Sequence, residues 1–160
     1  EWIKKTPINN YELTIKQLFE EKGITIGNDY HFIKVLDLVK DRCTVLPDFI
    51  QQAGFFFQSP EAIDIAAIQP KWDDKKQIFF RELIRTYKLS ILWNAADIEV
   101  SFKESAAAHQ LKPGELMLPL RVMLVGGKFG PGVFEIAELI GKDETVKRIH
   151  HTMSLLSLNS

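Results

Sequence analysis

The sequence predicts an all-α protein of two helical lobes, and three observations carry that expectation. Apolar residues recur at three- and four-residue steps through most of the chain, the spacing that places them on one face of a helix. The one β-like run, Phe55, Phe56 and Phe57, has no partner strand in view and reads as core-filling aromatics at a helix exit. Composition is that of a globular protein: 160 residues, 46% hydrophobic and 26% charged. A chain of this size buries about 70% of the surface its unfolded form exposes, so a true core is expected.

Element by element, Asn10 is placed to cap a first helix with Tyr11, Ile15 and Leu18 on one face, ended by Gly23. Asn28 or Asp29 starts a second, carrying Phe32, Leu36, Val39 and Cys43. Leu46, Phe49, Ile50 and Ala53 continue the pattern to Gly54. A long helix is expected from Trp72 to about Trp93, with Phe80, Ile84, Tyr87 and Ile91 on its stripe. Asp97 opens another with Ile98, Phe102 and Ala106. Leu116 to Val125 is apolar on both helical and strand periods, and Pro119 inside it argues against a central strand, so it reads as helix. Val133, Ile136, Ala137 and Ile140 make a short helix after Pro131, and Val146, Ile149, Met153 and Leu156 a terminal one capped by Asp143. Gln58 to Lys71, with Pro60 and Pro70 and weak periodicity, is the expected linker between an N-terminal lobe, 1–60, and a C-terminal one, 61–160.

Charge excludes several classes. Lys plus Arg is 20 and Asp plus Glu 21, so a contact with nucleic acid must use a local patch. No apolar run approaches a membrane span and no signal segment opens the chain, which implies a soluble, cytoplasmic protein with no membrane partner. The single cysteine, Cys43, excludes an internal disulfide, and its place on an apolar stripe predicts a buried thiol. His31, His109, His150 and His151 lack the spacing of a metal or general-base site and read as rim or surface residues. The pairs Asp73–Asp74 and Glu20–Glu21 read as solvated faces, since sequence neighbours do not face each other across one helix.

Two features remain. The run Gly126, Gly127, Lys128, Phe129, Gly130, Pro131, Gly132 enters a helix as phosphate-cradling loops do, yet it lacks the Ser or Thr after Gly-Lys and the spacing of either nucleotide fingerprint. It reads instead as a helix connection that uses glycine for its tight turns. From Leu116 to Phe134 there is no acidic residue, while Arg121 and Lys128 are both present, so this corner is locally positive. Arg42 continues the row Val35, Leu38, Arg42, which predicts a packed stem and a guanidinium at the rim of a helix C-terminus. There it complements the macrodipole, and its planar donor fork also suits base edges and phosphates.

Leu118-Pro-Leu-Arg-Val-Met-Leu-Val-Gly126, Phe129-Gly-Pro-Gly-Val-Phe-Glu-Ile136 and Leu139-Ile-Gly-Lys-Asp-Glu-Thr-Val-Lys-Arg-Ile149 resemble the C-terminal signature of bacterial glutamyl-tRNA synthetases. Val39-Lys-Asp-Arg-Cys-Thr-Val-Leu46 is similar to that family's E-R-x-x-T-L segment, with Asp41 where the family often has Glu. The resemblance covers nearly the whole chain and implies a two-lobed, all-α anticodon-binding domain of the class I glutamyl-tRNA synthetase type. The family's H-I-G-H and K-M-S-K-S motifs are absent, and residue 1 is Glu rather than Met, so a C-terminal piece without catalytic residues is expected. The resemblance further implies that ATP and magnesium serve a catalytic domain of the same polypeptide and that this region holds no cofactor or metal. The implied partner is glutamate tRNA through its anticodon loop, bound by a monomer. Carried over residue by residue, Arg42 approaches the first anticodon base and Arg121 reaches the third. Lys128 adds charge, and Gly130, Pro131 and Gly132 with Phe134 line the base pocket, Phe134 itself being expected to pack inward beside Ala137. The competing readings are an all-α protein-interaction module without RNA binding and a small enzyme that uses Arg121, Lys128 and the glycine turn as an anion site.

Overall fold

A computed structural model describes residues 12–24, 29–60 and 62–158, and among these the secondary structure is helical with no strand. The chain forms two compact units, Glu1–Ser59 and Pro60–Ser160. None of the helices among the described residues is long and apolar enough to cross a membrane.

In the first unit, α1 (Glu12–Glu21) buries Ile15 and Phe19 completely. Gly23, at φ 79°, reverses the chain in the left-handed region. Its N–H reaches the Glu20 carbonyl at 3.0 Å and the Ile24 N–H reaches Phe19 at 2.9 Å, the paired bonds that satisfy last-turn carbonyls. Helix α2 (Asp29–Val39) buries Phe32, Val35, Leu36 and Val39. Asn10, Tyr11 and Asn28, expected near the helix starts, lie outside the described residues. A 3-10 turn, Lys40–Arg42, follows, then the extended Cys43. The Asp48 carboxylate accepts the backbone N–H groups of Thr44 and Val45 at 2.8 and 3.1 Å, which holds its carboxyl below the usual range and shapes the entry to α3 (Asp48–Ala53). Phe55 and Phe56 follow in a 3-10 turn and are buried, while the Phe57 ring meets Phe19 edge-on at 5.6 Å. The aromatic run thus fills the core as expected.

Cys43 is buried, its Sγ 3.5 Å from the Val39 carbonyl. Burial, with a smaller push from the nearby Asp48 charge, raises its thiol to about 12, so the native thiol is protonated at any ordinary pH. At pH 8 a thiol reagent is therefore expected to label Cys43 slowly in the native chain and rapidly in urea, where the ordinary thiol value of about 8.5 returns. Equal rates in both conditions would contradict this burial.

In the second unit, α4 (Asp74–Leu89) is capped by Asp73, whose side chain accepts the Lys76 N–H at 2.8 Å. The helix is shorter than the 72–93 expected. Ser90 turns extended, with its carbonyl held at 2.9 Å by Lys142 Nζ, and Ile91 ends 95% exposed rather than on the stripe. Helix α5 (Ala95–Ala108) starts at Asn94, which accepts the Asp97 N–H at 2.9 Å, so Asp97 is in the first turn and not the cap. The apolar segment Leu116 to Val125 lies in helix α6 (Pro113–Val125), with Pro119 buried inside it. Short α7 (Val133–Ile140) follows the glycine loop, and α8 (Lys142–Leu158) closes the unit with Asp143 in its first turn rather than capping it. Phe79, Phe102 and Phe134 form an edge-on chain at 5.5 and 5.3 Å through this core. Tyr87 is fully buried, its O–H donating to the Ile98 carbonyl at 3.3 Å.

The boundary between the two units falls inside the segment expected as a linker, at Ser59–Pro60, and the rest of that segment packs into the second unit. Two 3-10 turns, Ile65–Ala67 and Gln69–Lys71, press Ile68 onto Val122 and Leu156, with Ile63, Ile65 and Trp72 packed around them. Its weak periodicity reflects short turns rather than a continuous helix, with Ile68 buried and Ala62 and Ala66 exposed.

Candidate nucleic-acid interface

Arg42 stands in the first unit. Because α2 ends at Val39 and the chain tightens into the 3-10 turn, Arg42 leaves the phase of the Val35–Leu38 row. Its side chain is exposed instead of packing its stem, and among the described residues it makes no hydrogen bond or ion pair. Its guanidinium is exposed.

The other candidates gather in one stretch of the second unit. Helix α6 ends on Gly126 at φ 88°, whose N–H bonds the Val122 carbonyl at 2.8 Å. The Gly126 carbonyl accepts the Asp64 N–H at 2.9 Å, tying the loop to the segment before α4. A Cβ at Gly126 would fall 2.6 Å from the Ala62 carbonyl oxygen, so only glycine fits there. Gly130, at φ 105°, makes the second reversal, and Gly132 leads into α7, its carbonyl taking the Ile136 N–H at 3.0 Å.

Arg121 organises this loop. Its Nη1 donates to the carbonyls of Phe129, Gly130 and Pro131 at 3.0, 3.1 and 2.7 Å. Three carbonyls converging on one cation is the inverse of an anion cradle: the loop turns oxygens inward to the guanidinium. Pro131 is buried, and Phe134 is 8% exposed with its ring edge-on to Phe102, so Phe134 packs inward as expected and shapes the loop from below. Lys128 and Phe129 are the exposed side chains at the tip.

Sequence reasoning missed Arg148. It is buried on α8, donating from Nη1 to the Leu124 carbonyl at 2.7 Å and from Nε to Glu144 Oε2 at 2.7 Å. It holds the last turn of α6, where the loop begins. Burial lowers its pKa while the Glu144 carboxylate opposes the shift. The signal available was the i, i+4 spacing of Glu144 and Arg148.

A cleft of about 500 Å³ in this unit is lined by Ile68, Lys71, Lys76, Glu115, Leu118 and Pro119 among others, with none of the glycine turn. Among the described residues no group of three or more His, Cys, Asp or Glu gathers as a metal site.

The sequence model of the anticodon binding domain family matches residues 9–153. The chain is 33% identical over 139 residues to a glutamate–tRNA ligase of Flavobacterium johnsoniae, covering 87% of this chain and 27% of that protein. It is 29% identical over 158 residues to one of Prosthecochloris aestuarii, covering 93% of this chain and 31% of the relative. Among solved structures, a glutamate tRNA ligase from Elizabethkingia meningosepticum in complex with its amino acid superposes with TM-score 0.87 at 29% identity, over 97% of this chain and 30% of that one. Glutamate-tRNA synthetase from Elizabethkingia anophelis gives 0.77 at 30% identity, over 94% and 29%. The chain therefore spans about three tenths of the length of the proteins it matches, and across nearly all of its own length it belongs to the anticodon binding domain family, in the form that glutamate–tRNA ligases carry.

Proposed function

We propose that this chain reads the anticodon loop of glutamate tRNA for a cytoplasmic glutamate–tRNA ligase, acting as a monomer and supplying selection rather than bond-making. ATP and magnesium serve a catalytic domain of the same polypeptide. The observation that carries this reading is the family match over residues 9–153, with a glycine loop whose carbonyls Arg121 holds in a stretch free of carboxylates. Single-stranded loops are the preferred targets of sequence-specific RNA recognition, because their unstacked bases offer free edges and faces. A rigid loop with a cationic tip, and an exposed arginine fork at residue 42, are complementary to such a target.

Titration of a labelled anticodon stem-loop of glutamate tRNA tests the proposal. Affinity is expected to fall with salt and with replacement of anticodon bases. Arg42→Ala is expected to weaken binding by about 1 to 3 kcal/mol, the scale of a lost charged contact, with no change in melting temperature since the side chain is exposed. Equal affinity for every loop sequence would reject anticodon reading, and absence of RNA binding would favour the protein-interaction alternative.

A further inference from the structure

The tip of the glycine loop carries an aromatic ring whose exposure the fold does not require. Phe129 is 43% exposed, whereas Phe79, Phe80 and Phe102 of the same unit are fully buried. Exposing so large an apolar side chain is unfavourable in the isolated domain, and the backbone beneath it is fixed. Arg121 holds the carbonyls of Phe129 and the two residues after it, all within 3.1 Å. The ring itself has a seat: a Cβ on Gly127 would lie 2.9 and 3.0 Å from its Cε1 and Cδ1, so the ring rests against main chain that only glycine leaves uncovered. A flat apolar face is thus presented in one position, with little side-chain entropy left to lose on binding.

Charge chooses the partner. The exposed Lys128 immediately precedes Phe129 in the chain, Arg121 Nη1 donates to the Phe129 carbonyl at 3.0 Å, and no acidic residue occurs from Leu116 to Phe134. The first carboxylate after this stretch, Glu135, lies against Gly132, its Oε1 2.7 Å from where a Gly132 Cβ would stand. An aromatic face bordered by cations suits a nucleobase attached to a phosphate, since every base has a π-face and every linkage a negative charge. We propose that Phe129 is a base-stacking platform of this surface, with Lys128 taking the phosphate beside the stacked base. This rests on the anticodon-loop reading above and names the contact by which the loop tip takes part in it.

The full 160-residue chain is titrated with labelled glutamate-tRNA anticodon stem-loops, intact or carrying one abasic nucleotide at each loop position in turn. Phe129→Leu keeps apolar bulk without a ring and is expected to bind the intact loop about ten-fold more weakly. Phe129→Trp is expected to restore binding, which a purely structural role for the residue would not produce. One abasic loop should bind Phe129→Leu and the unmodified chain equally, identifying the stacked base. Lys128→Ala should weaken all loops alike and flatten the salt dependence by about one counterion. If Phe129→Leu binds as the unmodified chain does while Arg42→Ala is weakened, stacking is overturned and the anticodon reading stands. If the unmodified chain binds no loop, both fall together.

Discussion

Arg148→Met should destabilise the second unit by about 2 to 3 kcal/mol, against less than about 1 kcal/mol for Glu144→Gln. Met keeps most of the stem volume, so the change isolates the guanidinium. Its loss orphans the Leu124 carbonyl, a last-turn oxygen of α6 that is bonded at 2.7 Å in a buried position. A hydrogen bond to a charged donor is worth about 1.5 to 3 kcal/mol, and a buried acceptor left unsatisfied keeps its full desolvation cost. Two effects oppose this. The guanidinium no longer has to be desolvated, which is why its pKa is lowered, and Met gains apolar contacts. They do not win, because the carbonyl stays buried whatever residue replaces arginine. Glu144 is 29% exposed, and its removal leaves the arginine still bonded to α6, hence the smaller effect. For a unit of this size the Arg148→Met loss lowers the melting temperature by on the order of 10 °C, readable by calorimetry. An unchanged melting temperature would mean that the desolvation cost of this arginine equals everything its hydrogen bonds return.

The contrast between Arg148 and the helices shows what the sequence made legible. Stripes are local: Phe32, Leu36 and Val39, or Phe80, Ile84 and Tyr87, are buried as their spacing required, and Phe134 faces inward with Ala137. Helix ends are less local. Ile91 continues the α4 stripe in phase, but Lys142, 52 residues away from Ser90, holds the Ser90 carbonyl, and Trp93 Nε1 bonds the Ala137 carbonyl at 2.9 Å. Those partners exist only after α7 and α8 have docked. The glycine loop combines both cases. Its turns are visible in composition, whereas the acceptors of Arg121 lie 8 to 10 residues ahead and face back only once Gly126 has reversed the chain. The resemblance located the arginine, and the geometry gives it a task the motif does not state: holding three carbonyls. Binding losses in an Arg121→Ala chain would accordingly arise from a released loop as well as from any base contact. Arg42 has no comparable intramolecular task among the described residues, which makes it the cleaner probe of RNA contact.

Gly126→Ala tests the loop's foundation, and Gly23→Ala supplies its control. Both glycines have positive φ, 88° and 79°, so alanine at either pays the left-handed strain of about 1 to 2 kcal/mol. They differ in surroundings. Nothing lies within 4 Å of a Cβ at Gly23, while one at Gly126 meets the Ala62 carbonyl oxygen at 2.6 Å and Pro60 Cβ at 3.0 Å. The oxygen belongs to backbone and cannot rotate away. Relief requires moving Pro60 and Ala62 away from Gly126, which stretches the bond from the Asp64 N–H to the Gly126 carbonyl and loosens the Ile68 packing on Val122 and Leu156. Adding about 1 kcal/mol for that bond and 1 kcal/mol or more for the forced shift, Gly126→Ala should cost about 3 to 4 kcal/mol. Gly23→Ala should cost about 1 to 2, in the other unit. Two-unit melting curves separate them, since each substitution should displace only its own unit's transition. If Gly126→Ala were no worse than Gly23→Ala, Pro60 and Ala62 would have to yield freely, and the seat of the glycine loop would lie elsewhere than against them.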